Sequence, residues 1–135
     1  MSVIEKQTSA EKVRILVMDD DAQIRKILGL MLDRLGYQTE AVSSGAEALK
    51  LYQAALQSGR PYRAAILDLT IGHGMDGPAT LAALKQLDPG VRAIVATGHA
   101  RDTVLATCVK NGFRTVLAKP FRLQDVENAV RQALA

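Results

Sequence analysis

Short apolar runs alternate along this chain with longer segments whose apolar residues return every three or four positions. The runs lie at 13–18 (VRILVM), 37–42, 64–69, 91–97 and 114–118. The first, third and fourth are nearly continuous in Val, Ile, Leu and Ala, as strands covered on both faces of a parallel sheet should be. Segments 22–35, 45–57, 78–87, 101–110 and 122–134 carry the helical period. In the first of these, Ile24, Ile27, Leu28, Met31 and Leu35 form one stripe; in the second, Leu49, Tyr52 and Leu56 do so. Gly36, Gly59 to Pro61, Asp88-Pro89-Gly90 and Asn111-Gly112 follow the first four helices and supply turns. Residues 1–12 show neither period and are expected to form a flexible tail or linker, leaving one domain over 13–135.

Five strand-helix units in succession predict a doubly wound α/β sheet, because parallel neighbours need right-handed helical crossovers. Ligands of such sheets bind at the carboxyl ends of the strands, beside the switch point in strand order. The residues ending each run therefore matter most.

Composition narrows the setting. Of 135 residues, 48% are hydrophobic and 23% charged, and no apolar run approaches the roughly 20 residues needed to span a bilayer, so no membrane insertion is expected. The first residues lack the apolar core of a secretory signal and there is one cysteine, Cys108, which together suggest a cytoplasmic location. A net charge of +3 raises the question of nucleic acid. The basic residues are scattered and aromatics are few, so direct nucleic-acid binding is not expected.

The first strand ends in Asp19-Asp20-Asp21, the third in Asp68, the fourth in Thr97-Gly98 and the fifth in Lys119-Pro120, while Ser43-Ser44 after the second reads as a helix cap. Two carboxylates about 4 Å apart repel by about 4 kcal/mol at an effective dielectric near 20. A divalent ion would relieve that repulsion, and Asp19, Asp20 and Asp68 make a hard oxygen site suited to Mg²⁺, with Mn²⁺ as an alternative. Asp21, one residue on, is better placed to cap the following helix. A carboxylate beside a metal, an ammonium and a hydroxyl is equipped for phosphoryl transfer. Asp68 would be the nucleophile, Lys119 would neutralise phosphoryl charge and Thr97 would donate a hydrogen bond.

This set, in this order on five strands, resembles the receiver domains of two-component response regulators over residues 13–134. The resemblance implies a flavodoxin-like (βα)5 fold with strand order 2-1-3-4-5. It implies a phosphoprotein with Asp68 as phosphoacceptor, fed by a histidine kinase or histidine phosphotransfer protein in a phosphorelay that switches or relays a signal. It further implies Thr97 as the switch hydroxyl, Lys119 as the family's lysine with a cis bond to Pro120, and Mg²⁺ held by Asp20, Asp68 and the Thr70 carbonyl, with Asp19 acting through water. Such a domain promotes its own phosphorylation and dephosphorylation but is not a stand-alone enzyme. LDLTIGHGMDG, LDPGVRAIVATGHA and LAKPF are most similar to receivers of hybrid histidine kinases, so the chain reads as a stand-alone receiver or as part of a larger kinase. Partners would dock near the first helix and the loops at the site.

Two positions depart from the pattern. Gly72 stands where that subgroup often has proline, in a loop one residue longer than in the simplest receivers, and should loosen the loop; His73 beside it reads as exposed. Val116 replaces the ring that many receivers carry three residues before the lysine, so output would run through backbone shifts of the fourth helix and fifth strand, or through phosphotransfer alone. His99 could cover the site and tune hydrolysis. A different class, an aspartate-nucleophile hydrolase of the haloacid dehalogenase type, would use Asp19-x-Asp21 and Thr97 but leaves Asp68 unexplained.

Overall fold

A computed structural model of the chain describes residues 12–98 and 102–135. The elements run β1 (Arg14–Met18), α1 (Ala22–Arg34), β2 (Gln38–Val42), α2 (Gly45–Gln57), β3 (Ala64–Asp68), α3 (Gly77–Leu87), β4 (Ala93–Thr97), α4 (Asp102–Lys110), β5 (Thr115–Ala118) and α5 (Leu123–Leu134). All strand pairs are parallel, in the order β2-β1-β3-β4-β5. This is the predicted flavodoxin-like arrangement, and its order reverses between β1 and β3, the two strands that end in the acidic residues. Of the tail expected over 1–12, residues 1–11 lie outside the described residues.

Alternate residues of the central strands enter different cores, because successive side chains on a strand face opposite ways. Leu16, Met18, Leu67 and Val95 pack with Tyr52 of α2, Leu81 and Leu84 of α3 and Cys108 of α4. Ile15, Val17, Ile66 and Ile94 pack with Leu28 and Leu32 of α1 and Val126 and Val130 of α5. β3 and β4 are buried along their whole length. That double cover explains their uninterrupted apolar sequences, and it leaves the strand ends as the place where polar side chains can gather.

The helical stripes are corrected in detail. In α1 the buried pair is Leu28 and Leu32, flanked by partly buried Ile24, Met31 and Leu35, whereas Ile27 is 42% exposed and lies beside Leu30 at 62%. Leu32, not Ile27, continues the inward row because it stands four residues after Leu28. In α2, Ala48 and Ala55 are buried with Tyr52, while Leu49 and Leu56 sit at the margin.

Boundaries shift for local reasons. β4 starts at Ala93 because Val91 N–H bonds back to Asp88 O in the preceding turn. α3 starts one residue before Pro78, where Asp76 caps the Ala79 amide at 2.9 Å. α5 starts at Leu123, after Arg122, whose amide bonds the Asp125 carboxylate at 2.8 Å.

Candidate functional site

β1 and β3 are adjacent, with Met18 level with Leu67, so the residues leaving β1 stand beside Asp68 at the end of β3. One carboxylate oxygen from each of Asp19, Asp20 and Asp68 lies within 4.8 Å of the others. Asp19 and Asp68 are buried and Asp20 is exposed. Three hard oxygens with one side open to water fit Mg²⁺, which keeps several waters when protein carboxylates hold it.

Lys119 answers the charge. Its Nζ lies 2.9 Å from Asp19 Oδ2 and 3.4 Å from Asp68 Oδ1. Lys119 directly follows β5, and the peptide bond joining it to Pro120 is cis. Its amide donates to Thr97 O at 2.8 Å, which ties the ends of β4 and β5 together. Burial works against the Lys119 ammonium, but its hydrogen bond and attraction to Asp19, with the charge of Asp68, hold its pKa above the ordinary lysine value. Asp68 shifts upward too: burial and the charge of Asp19 raise its pKa, against the opposing pull of Lys119 and of the Thr70 amide, which donates to it. The Asp68 carboxylate is thus held in surroundings that resist its charge and would welcome a cation.

Each acid has a distinct local support. Asp19 Oδ1 accepts the Asp21 amide at 2.9 Å, and its main-chain oxygen accepts Arg25 Nη1 at 2.8 Å. Asp20 Oδ2 accepts the Gly72 amide at 3.1 Å. Asp21 turns away to accept the amides of Gln23 and Ile24, at 2.9 and 3.4 Å, and so caps α1 as expected. That geometry removes the second carboxylate required by the hydrolase alternative. Ser44 likewise caps α2, through the Glu47 amide at 3.2 Å.

Thr97 is buried at the end of β4, one residue beyond Ala96, the partner of Asp68 in the sheet. Val116 lies half-buried against the core shared by α2, α3 and α4, with no ring to move there. His73 is exposed, as anticipated. His99 lies outside the described residues. Gly72 has a further role beside the expected loosening of its loop: its amide fastens that loop to Asp20, a bond proline could not make.

Three supports were missed in the sequence. Gly77 seats α3 against Asp68: a Cβ there would fall 2.5 Å from the Asp68 main-chain oxygen. The signal was Asp76-Gly77-Pro78, a cap followed by an early helical proline. Gly45 is equally confined, by Thr80 Oγ1 and Met75, which sets the start of α2 against the loop after β3. Arg25 is the third, and nothing in its spacing marked it.

The model of the response regulator receiver domain matches residues 15–131. The chain is 31% identical over 121 residues to sporulation initiation phosphotransferase F of Bacillus subtilis (strain 168), covering 90% of this chain and 93% of that protein. It is 27% identical over 125 residues to the transcriptional regulatory protein ZraR of Escherichia coli (strain K12), covering 93% of this chain but only 27% of the regulator. Among solved structures, a response regulator receiver protein from Sinorhizobium medicae WSM419 is similar at 29% identity and a TM-score of 0.75, covering 93% of this chain and 96% of that one. A chain of the CheX-CheY-BeF3-Mg complex from Borrelia burgdorferi shares the fold at 22% identity and a TM-score of 0.81, covering 91% and 90%.

Proposed function

The chain belongs to the response regulator receiver domain family, and on that premise we propose that Asp68 accepts a phosphoryl group from a phosphohistidine in a Mg²⁺-dependent reaction that switches or relays a signal. The observation that carries this reading is the Lys119 ammonium shared between Asp19 and Asp68 within a cluster of three carboxylates. It pairs a nucleophile with the positive charge that a transferred phosphoryl group needs.

In the proposed step an Asp68 carboxylate oxygen attacks phosphorus. An O–P bond forms as the donor's N–P bond breaks, and the imidazole leaves with that electron pair and retains or takes up a proton. Lys119 passes from its carboxylate partners to a phosphoryl oxygen, and the Thr97 hydroxyl donates to another. Mg²⁺ bound by Asp20, Asp68 and the Thr70 carbonyl, with Asp19 behind a water, would neutralise phosphoryl charge. Attack of water on the same phosphorus restores the Asp68 carboxylate and releases inorganic phosphate.

The donor would be a histidine kinase or a histidine phosphotransfer protein, approaching α1 and the loops around Asp68, in the cytoplasm. Exposed Ile27 and Leu30 on α1 supply an apolar surface for such a contact. No helix among the described residues is long and apolar enough to cross a membrane. The receiver is proposed to act without touching nucleic acid itself, either alone or within a larger hybrid kinase.

Intact-mass measurement after incubation with acetyl phosphate tests the chemistry. One added phosphoryl group that requires Mg²⁺ and is absent from Asp68→Asn supports the reading. An adduct that persists in Asp68→Asn and is lost in Asp19→Asn overturns it.

A further inference from the structure

Arg25 has no role in the phosphoryl transfer set out above, yet its position calls for a reason. It lies in the first turn of α1, where the helix dipole disfavours a cation. Its side chain turns back across that turn, and Nη1 donates to the main-chain oxygen of Asp19 at 2.8 Å. Its own amide meanwhile bonds Asp21 O at 3.0 Å in the helix. From the start of α2, the Glu47 carboxylate attracts the same guanidinium.

The oxygen that Arg25 holds belongs to the peptide linking Asp19 to Asp20. Rotation of that peptide would swing the Asp20 carboxylate relative to Asp19 and Asp68. The Asp19 side chain is independently fixed by Lys119 and by the Asp21 amide. The exposed Asp20 side chain is held by the Gly72 amide. A charge-assisted hydrogen bond on the intervening carbonyl therefore fixes the angle between the two acids.

We propose that Arg25 is a positioning residue for the divalent-cation site, acting through the Asp19 main-chain oxygen to hold Asp20 in register with Asp68. The inference rests on the receiver reading of that site. It predicts an effect opposite in sign to that of charge alone. As a nearby cation Arg25 repels a metal ion, so removing only its charge would tighten Mg²⁺ binding. Removing its grip on the carbonyl would weaken binding.

The test is Mg²⁺ titration by calorimetry on the full chain carrying Arg25→Ala or Arg25→Lys, with Lys26→Ala as an exposed control, alongside acetyl phosphate labelling of Asp68. Arg25→Ala is expected to weaken Mg²⁺ by about tenfold, the range seen when a group supporting a metal ligand is lost. Lysine, which keeps a donor and the charge, should recover part of the affinity; Lys26→Ala should match the parent. Tighter binding in Arg25→Ala, or binding within about twofold of the parent, overturns the proposal while Mg²⁺-dependent labelling of the parent leaves the receiver reading standing. If Arg25→Ala does not fold, Arg25→Lys decides: unchanged affinity with a slower labelling rate at limiting Mg²⁺ counts against positioning, and reduced affinity supports it. Failure of the parent itself to bind Mg²⁺ and to label at Asp68 overturns the receiver reading and this inference with it.

Discussion

Gly77 and Asp68 meet backbone to backbone: a Cβ on Gly77 would fall 2.5 Å from the Asp68 main-chain oxygen. The first turn of α3 therefore seats directly on the residue proposed to carry the phosphoryl group. Even the smallest side chain must push one of them aside. Gly77→Ala should cost about 1–3 kcal/mol of stability, as overpacking does, and lower labelling of Asp68. Gly29→Ala, with open space around it in the middle of α1, should instead stabilise by about 0.5–1 kcal/mol. Urea titrations of both variants check the opposing signs.

Asp68 offers a prediction about pH. Burial and the charge of Asp19 lift its folded pKa above the ordinary 3.8. The folded state then binds more protons than the unfolded one over that interval, so this residue's contribution to stability falls as pH rises through it and stays unfavourable above. Asp68→Asn, which removes the charge, should melt higher than the parent at neutral pH. The advantage should shrink in acid, where the parent carboxyl is also neutral. Thermal melts across pH without divalent ions measure this. Mg²⁺ should raise the parent's melting temperature and raise that of the variant less, by the linkage between binding and folding.

Asp21 separates capping from chemistry. Its carboxylate accepts two amides at the start of α1. Asp21→Ala should cost about 1 kcal/mol in a urea titration through loss of the cap. The Mg²⁺-dependent labelling of Asp68 should persist. Loss of labelling in a variant that remains folded would restore a chemical role for this third aspartate.

Cys108 reports on α4. It is buried against Phe113 and Leu84 in the core, and burial pushes its thiol pKa up, which disfavours the reactive thiolate. Alkylation in the native state must wait for α4 to open. It should run at least about 100-fold slower than in the urea-unfolded chain, equivalent to an opening free energy of about 2.7 kcal/mol. Mass-monitored alkylation measures the ratio; a smaller one would mean that α4 opens readily.

The sequence made the sheet legible because its central strands are buried on both faces, which leaves little room for polar residues except at their ends. That same constraint exposed Asp19, Asp20, Asp68, Thr97 and Lys119 as candidates, and the structure places them at one edge. Helix faces were harder to read. Ile27 is as apolar as Leu28 yet lies outside the inward row, and the buried Ala48 and Ala55 are too small to stand out in a pattern. The supports of the site escaped for a different reason. Arg25 acts on the main-chain oxygen of Asp19, and Gly72 acts through its own amide on the Asp20 carboxylate; hydrogen bonds that involve the backbone leave no periodic trace in side-chain type.

The Gly72 amide gives this receiver a reporter that a proline there would erase. Its N–H faces a carboxylate oxygen of Asp20 at 3.1 Å, so its proton resonance and its exchange with solvent both depend on how strongly that oxygen accepts. An ion drawing electron density from Asp20 would weaken the bond and shift the signal. A single nitrogen–proton correlation, from a residue that contributes no side chain, thus becomes a gauge of whether the acidic site is occupied.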